Sequence, residues 1–494
     1  MVISSAVDAS ARARTVGIKT TFKDLRGGNT VFLPQRIAVI GQGATAASYT
    51  TTKQTVTSAV DVGQTYGFGS PLHLAVQQLL PANGDGVGSI PVTVYPLEDN
   101  GSGIAAVGTI TPSGTATATG TITLTVAGLS VPVLITTGDT VADVTASITA
   151  AVTAELNMSV TATDNSTDVD LTAKWKGTTG NDIVVGITGS VAGVTFVIVQ
   201  PTGGATNPDI NPALAQMGDV WETMVLNLVG DATDTATLDK INLFGEGRWG
   251  ALTKKPLVSF VGSVETSVTT ATTVTDARKS DRVNAQLIAP GSVNLPFVVA
   301  SRQLARIAVV ANNQPGRDFG SLQATGLIPG ADGDQWDYLE RDQAIKAGSS
   351  SSIVKDGVVT VADTVTFYHP AGDPNPAYQY VCDIVKLQNI IYNLDIRFNT
   401  PEWDGVILVP DGQAVVSPYA RRPSDAKSVV ASMIDGLGLN GLISDPESAK
   451  SSIQVEIDGA NPKRLNIAFT VSLSGNANII SIDLNFGFYF GGVA

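Results

Sequence analysis

The stretch Arg36–Ala47, RIAVIGQGATAA, decides how the first part of the chain folds. Its apolar residues Ile37–Ile40 predict a β-strand. Gly41, Gly43 and Ala46 follow at the spacing of the dinucleotide-binding fingerprint, in which glycines lead from a strand into a helix that holds a pyrophosphate. The stretch therefore indicates either a nucleotide-binding enzyme or a strand that ends in a tight turn.

The residues after the glycines distinguish these two interpretations. A pyrophosphate site needs a helix that begins at the glycines, because the free N–H groups and the helix dipole hold the anion. Residues 44–58 contain six threonines and no apolar stripe at helical spacing, which disfavours a helix there. Asp61 lies about where a ribose-binding acid would follow, but it does not come after a second strand. We predict that Gly41 and Gly43 serve a sharp turn and that no cofactor binds.

The overall composition disfavours several classes of partner. The 494 residues are 43% hydrophobic and 15% charged, and the formal net charge is −14. Nucleic acid is not expected as a direct partner, because phosphate binding needs clustered Lys and Arg and no basic run occurs. Membrane insertion is not expected either, because no apolar stretch approaches the ~18 residues of a spanning helix. The N-terminal residues lack the apolar core of a secretory signal, so we expect a chain that is made in the cytoplasm and leaves it by lysis or within a particle.

Few side chains offer catalytic or metal-binding chemistry. The chain has one cysteine and two histidines, which excludes an intrachain disulfide and a cysteine-rich metal site. We expect Cys382 to be a buried, inert thiol, His73 to pack within a helix and His369 to lie in a surface loop. No nucleophile-elbow motif occurs in the chain, so no catalytic residue is assigned.

Residues 104–200 differ in composition from the rest of the chain. Short β-branched runs separated by glycines predict antiparallel strands, and one helix is predicted to begin at Thr140. The acidic residues Asp164, Asp168 and Asp170 lack the glycine and the terminal glutamate of a calcium loop. We interpret them as a solvated strand edge and assign no metal site.

Helical and strand patterns alternate on both sides of this segment, which predicts layers of α and β structure. The spacing of apolar residues in 378–398 predicts a long amphipathic helix. The predicted fold class is a mixed α/β body with an inserted β-rich, sandwich-like domain and extended strand arms at both ends. The predicted domains are an N-terminal linking arm (1–30), the first part of the α/β body (31–103), the inserted outer domain (104–200), the main body (201–472) and the C-terminal strand and arm (473–494).

Two terminal segments alternate in character at every second position, as β-strands do. The repeating positions are Val16, Ile18, Thr20 and Phe22 in one segment and Ile480, Ile482, Leu484, Phe486, Phe488 and Phe490 in the other. Gly27 and Gly28 follow the first segment and Gly475 precedes the second, and these glycines are hinge candidates. The pattern leaves two pairings open for the last segment: within the chain's own sheet, or as a strand added to the sheet of another chain.

Eight motifs follow one another along nearly the whole length of the chain. They are LPQRIAVIGQG, TSAVDVGQTYGFGSPLHLAVQQLL, GTITPSGTATATGTITLTVAG, LTAKWKGTTGNDI, NPDINPALAQMGDVWETMV, GLIPGADGDQWDYLERDQAIKAGSSSSIV, YHPAGDPNPAYQYVCDIVKLQNIIYNLDIRF and NPKRLNIAFTVSLSGNANIISIDLNFGF. In their order and spacing, these motifs resemble the tail sheath proteins of contractile-tailed phages, and the Mu-like sheaths in particular. The sequence departs from the family in its terminal FGFYFGGVA, which is longer than the usual ending.

The resemblance implies a structural protein without enzymatic activity, cofactor or metal. It implies self-assembly as stacked hexameric rings around a tail tube protein, contacts with baseplate and tail terminator proteins, and a place in the virion after assembly in the host cytoplasm. In that family the arms add strands to neighbouring subunits, and contraction drives the tube through the host envelope for genome delivery. The sheath of a phage-derived bacteriocin or related contractile injection system is an alternative, and an NAD-dependent oxidoreductase is a remote one.

Overall fold

The computed structural model describes residues 30–230 and 233–488. Seven residues named above lie outside this described part: Val16, Ile18, Thr20, Phe22, Gly27, Gly28 and Phe490. The chain divides into two compact units. Of the described residues, the larger unit comprises 32–230, 233–392 and 476–488, and the smaller comprises 393–475 with residues 30 and 31. No helix of the described residues is long and apolar enough to cross a membrane.

The described residues form helices and strands between Ile37 and Leu473. The helices are α1 (Ala59–Tyr66), α2 (Pro71–Leu79), α3 (Val141–Ala154), α4 (Asn211–Met217), α5 (Thr235–Arg248), α6 (Val268–Asp276), α7 (Pro296–Asn313), α8 (Tyr338–Lys346), α9 (Val381–Phe398), α10 (Pro423–Leu439) and α11 (Pro446–Ser451). The strands are β1 (Ile37–Gln42), β2 (Gln54–Val56), β3 (Val92–Leu97), β4 (Val107–Gly114), β5 (Gly120–Val126), β6 (Leu129–Ile135), β7 (Val160–Asp164), β8 (Val169–Ala173), β9 (Val185–Thr188), β10 (Val194–Thr202), β11 (Met224–Asn227), β12 (Val258–Ser263), β13 (Asn284–Ile288), β14 (Ser351–Lys355), β15 (Val358–Asp363), β16 (Ile407–Leu408), β17 (Ala420–Arg421), β18 (Ile443–Ser444), β19 (Gln454–Ile457), β20 (Leu465–Ala468) and β21 (Ser472–Leu473).

The larger unit is built around a six-stranded sheet in the order β13, β12, β11, β1, β3, β2. Its neighbouring strands are parallel except for β2, which pairs antiparallel with β3. All six residues of the central strand β1 are buried, which confirms the strand predicted at Ile37–Ile40. Ile37 and Val39 pack in the core with α2 and α7, whereas Ala38 and Ile40 pack with α4 and α5. Because helices cover both faces, the successive residues Ile37–Ile40 are all apolar.

Close packing, and not a special backbone angle, explains the two glycines that follow this strand. Gly41 and Gly43 both lie outside the left-handed φ region. A Cβ atom at Gly41 would lie 2.8 Å from Leu228 Cδ1, and one at Gly43 would overlap the Tyr49 ring. The prediction that Gly41 and Gly43 serve a sharp turn is therefore corrected. Glycine is required at these positions because a side chain would not fit. No helix begins at these glycines, because the next helix, α1, starts at Ala59.

The strands and the helix predicted within 104–200 are present. Strands β4 to β10 form two antiparallel sheets, one in the order β10, β4, β8, β7 and the other in the order β6, β5, β9. The helix α3 begins after Thr140, whose backbone N–H donates to the Asp143 carboxylate at 2.9 Å. Trp175 is fully buried and meets the Phe297 ring of α7 with 6.0 Å between ring centroids. These strands therefore share a hydrophobic core with the helices of the parallel sheet.

The smaller unit consists of short elements around α10. This helix buries Val430, Met433 and Leu437. Three two-stranded sheets are present in the unit: the parallel pair β16 and β17, and the antiparallel pairs β18 with β21 and β19 with β20. A two-stranded sheet is marginally stable in water. In the described residues the outer edges of these pairs carry no third strand.

Candidate assembly segment and its anchorage

The segment 479–488 presents a row of exposed apolar side chains. The side chains that are 78% to 84% exposed are Ile479, Ile480, Ile482, Leu484, Phe486 and Phe488. The segment forms no strand and no hydrogen bond with the described part of the chain. In the described part of the chain, no sheet of the subunit pairs with these residues. Pairing with another chain stays a prediction.

The energetics of this segment favour burial against a partner. Burying one large apolar side chain contributes about 1.5–3 kcal/mol, so six contribute about 9–18 kcal/mol. Fixing about a dozen backbone residues costs a similar free energy. Burial is favourable overall only if the ordered backbone also gains hydrogen bonds, which a neighbouring strand edge supplies.

The chain that leads into this segment is fixed at Asn476. Its Oδ1 accepts a hydrogen bond of 2.6 Å from Lys386 Nζ of α9, and its Nδ2 donates to the Gly316 carbonyl at 3.0 Å. The Lys386 side chain is fully buried and forms an ion pair of 2.8 Å with Asp383. A buried ammonium group is costly unless it is paired and hydrogen-bonded. Asn476 therefore belongs to the polar environment that makes the burial of Lys386 tolerable.

Cys382 lies beside this anchor. Its side chain is 2% exposed, and its Sγ lies 3.7 Å from Asn476 Oδ1. Burial raises the pKa of the thiol, and the charges of Asp383 and Asp318 raise it further. The thiol is protonated at neutral pH and shielded from reagents, which confirms the prediction of a buried, inert cysteine.

The beginning of the described chain is fixed on the same helix. The Leu33 N–H donates to Asn389 Oδ1 at 2.8 Å, and the Gln35 N–H donates to Asn312 Oδ1 of α7 at 3.1 Å. Asn389 follows Lys386 by one helical turn, and both side chains are fully buried. The helix predicted over 378–398 is present, but these polar residues of its buried side were not predicted to have a role. The sequence did contain a signal for this role, since Lys386 and Asn389 are polar residues three positions apart in a helix of otherwise apolar pattern.

The turn after β1 contains no cradle of free N–H groups. The Gly43 N–H donates to Tyr49 Oη at 3.0 Å. The next N–H, that of Ala44, donates to the Tyr66 carbonyl at 2.7 Å. Asp61 lies exposed in the first turn of α1. The chain itself thus uses the donors that a pyrophosphate would need at this position.

The two histidines are both buried. His73 is 2% exposed, which confirms the prediction of a packed side chain, and its Nδ1 accepts a 3.1 Å hydrogen bond from the Gly69 N–H. Burial, followed by the charge of Lys174, lowers the pKa of His73 to about 4. His369 is 7% exposed, so its prediction as a surface-loop residue is wrong. Its Nε2 lies 3.3 Å from Asp276, a partner 93 residues away that a local motif does not reveal.

The acidic residues Asp164, Asp168 and Asp170 lie where β7 passes into β8. The Asn165 side-chain amide donates to Asp168 at 2.7 Å and to Asp170 at 2.9 Å. Asp164 is exposed, whereas Asp168 and Asp170 are half-buried. The described residues contain no group of three or more His, Cys, Asp or Glu side chains that could hold a metal ion.

Comparison with known proteins identifies one curated relative along most of the chain. No family model matches the sequence. The sequence is 27% identical over 436 residues to the Mu-like prophage FluMu tail sheath protein of Haemophilus influenzae, a match that covers 85% of this chain and 86% of the relative. The chain is a homologue of this Mu-like prophage tail sheath protein. The predicted resemblance is thereby confirmed, and so is the prediction of a structural protein and not an enzyme.

Solved sheath structures share a weaker likeness with this tail sheath homologue. The sheath tail protein of Desulfitobacterium hafniense has a TM-score of 0.48 at 12% identity, covering 92% of this chain and all of that one. The Listeria innocua sheath tail protein has a TM-score of 0.47 at 12% identity, covering 91% and 94%. The contracted PVC sheath complex of an extracellular contractile injection system has a TM-score of 0.47 at 9% identity, covering 96% and 98%. The homology rests on the sequence match alone.

Proposed function

We propose that the chain is a structural subunit of a contractile phage tail sheath and that it polymerises with itself through its terminal segments. The observation that carries the proposal is the segment 479–488, which has the pattern of a strand but exposes its apolar side chains in the single chain. The homology to a Mu-like prophage tail sheath protein supports the same role.

In the proposed assembly, the subunits stack as hexameric rings around a tail tube within the virion, between baseplate and tail terminator proteins, after assembly in the host cytoplasm. The segments 16–22 and 480–490 add strands to neighbouring subunits, with Gly27, Gly28 and Gly475 as hinges. The body of each subunit is formed by 31–103 and 201–472, and contraction changes the contacts between neighbouring bodies. The pairing of the terminal strands persists during this change. The inserted domain 104–200 lies on the outside of the tail. This movement drives the tube through the host envelope. A phage-derived bacteriocin or injection system would use the subunit in the same way.

The small sheets of the second unit support the proposal of strand addition. The pairs β18 with β21 and β19 with β20 have only two strands each in the described residues. A third strand would pair the N–H and C=O groups at their outer edges and bring each sheet to the size at which sheets become stable. These pairs are therefore the candidate acceptors for the segment of a second copy.

The test compares three forms of the chain by negative-stain electron microscopy: the full chain, a truncation that ends at Asn478, and a control truncation that ends at Phe490. We expect striated tubes from the full chain and from the control. The truncation at Asn478 is expected to stay folded and unassembled, because it lacks the apolar strand. Long ordered tubes from this truncation would overturn the role of the C-terminal segment. A full chain that forms no tubes and co-purifies with a nicotinamide would overturn the sheath function.

A second truncation, without residues 1–23, tests the N-terminal segment in the same way. We expect a folded monomer, observed as a single species in analytical ultracentrifugation. Ordered tubes from this truncation would show that the N-terminal segment is dispensable.

A further inference from the structure

The helix α9 buries several polar side chains, and each one binds a distant part of the chain. Lys386, Gln388 and Asn389 are at most 1% exposed. Gln388 Nε2 donates to the Pro256 carbonyl at 3.0 Å. Buried polar groups of this kind are retained where they hold another segment in place, because an unpaired one would be costly. The partners of Lys386 and Asn389 belong to the two ends of the described chain.

A series of contacts fixes the chain just before the exposed segment 479–488. Asp383 holds the Lys386 ammonium one turn away on the same helix, and the ammonium in turn reaches Asn476. The Asn478 N–H then donates to the Asn476 carbonyl at 3.1 Å. Beyond Asn478, the described residues make no hydrogen bond to the chain. The fixed part of the chain thus ends at Asn478, two residues after Asn476, the partner of Lys386.

We propose that the first two and a half turns of α9 are a common anchor for both terminal segments, and that Lys386 is the positioning residue that fixes the origin of the C-terminal one. Asn389 fixes the N-terminal one at Leu33. The partner that the anchored segment reaches is a second copy of this chain, a point that rests on the proposed function. The anchor itself is a property of the single chain, so its test requires no assembly.

The sole cysteine of the chain provides the probe, because Asn476 lies against it. Wild-type chain, Asn476→Ala and the control Asn485→Ala are treated, unassembled, with a small thiol reagent, and the rate of Cys382 modification is measured. Asn485 has the same side chain but lies exposed beyond the anchor. Losing a hydrogen bond to a charged group is expected to raise the labelling rate of Asn476→Ala on the order of 10- to 100-fold. The control is expected to label at the wild-type rate.

The dependence of labelling on urea distinguishes a local anchor from general destabilisation. Local release exposes little surface, so labelling of Asn476→Ala should be nearly independent of low urea concentrations. Equal labelling of Asn476→Ala and the wild type would overturn the proposal. A rate that rises steeply with urea, in step with global unfolding, would also overturn it.

Hydrogen exchange provides a second measurement that does not depend on the cysteine. In Asn389→Ala, peptides covering residues 33–35 should exchange at least tenfold faster, while β1 and β11 stay protected. Unchanged exchange at 33–35 would refute the N-terminal half of the anchor. If the wild type shows the anchor but never forms tubes, the proposed function fails and the anchor stands.

Discussion

Replacing Leu484 by serine separates the stability of the single chain from the stability of the assembly. The Leu484 side chain is 79% exposed, so the substitution removes little buried surface from the folded chain. We expect the free energy of unfolding to change by less than about 0.5 kcal/mol. In the proposed assembly the same side chain is buried against a neighbour, and losing it costs about 1.5–3 kcal/mol for each contact. The concentration needed for polymerisation should therefore rise on the order of 10- to 150-fold.

The assay is sedimentation of polymer over a concentration series, with urea unfolding of the same samples below the polymerisation threshold. Leu252→Ser is the matched control, because Leu252 is 96% exposed and lies far from the C-terminal segment in sequence. We expect this control to polymerise at the wild-type concentration. A Leu484→Ser chain that polymerises like the wild type would refute the reasoning, as would equal effects of the two substitutions.

Three further predictions concern the body of the subunit. Gly41→Ala should lower the free energy of unfolding by about 1–3 kcal/mol in urea titrations, because its Cβ would meet the buried Leu228 side chain, whereas Gly412→Ala, which has open space, should not. Below pH 6.5, the usual pKa of histidine, His73 binds a proton in the unfolded chain but not in the folded chain, because folding lowers its pKa to about 4. Relative to His73→Gln, the free energy of unfolding of the wild type should therefore fall by about 3 kcal/mol as the pH falls from about 6.5 to about 4. Parallel pH profiles of the two proteins would contradict this expectation. Joining Gly103 to a residue near Pro201 removes 104–200 with little strain at the junction, because Ile104 and Ala205 exchange hydrogen bonds of 3.0 and 3.1 Å and bring the cut ends together. The deletion also removes Trp175 from the core that it shares with Phe297, so we expect urea unfolding at a lower midpoint than in the full chain, and an unchanged midpoint would contradict the shared core.

Features with a local cause could be predicted from the sequence. The strand β1 follows from its apolar run, and the start of α3 follows from Thr140 and Asp143, because each pattern lies within a few residues. The space requirement at Gly41 could not be predicted, because it arises only when β11 pairs beside β1 and brings Leu228 against the glycine.

The anchor of the exposed segment also escaped prediction. Lys386 and Asn476 are 90 residues apart, and neither hydropathy nor periodicity relates them. The burial of His369 was missed for the same reason, since its partner lies on a distant helix. The exposed strand pattern of 480–488 was recognisable, but whether the chain pairs it internally depends on which sheet edges the fold leaves open.

The positions of Lys386 and Asn389 have a mechanical consequence. Asn389 lies three positions after Lys386 in the helix, which corresponds to about 4.5 Å along the axis at ~1.5 Å per residue. In a subunit held by both terminal segments, tension entering through one segment can pass to the other across a single turn of α9. The parallel sheet around β1 lies outside this short path. Pulling forces between neighbours would therefore strain a few hydrogen bonds at the helix before they distort the body.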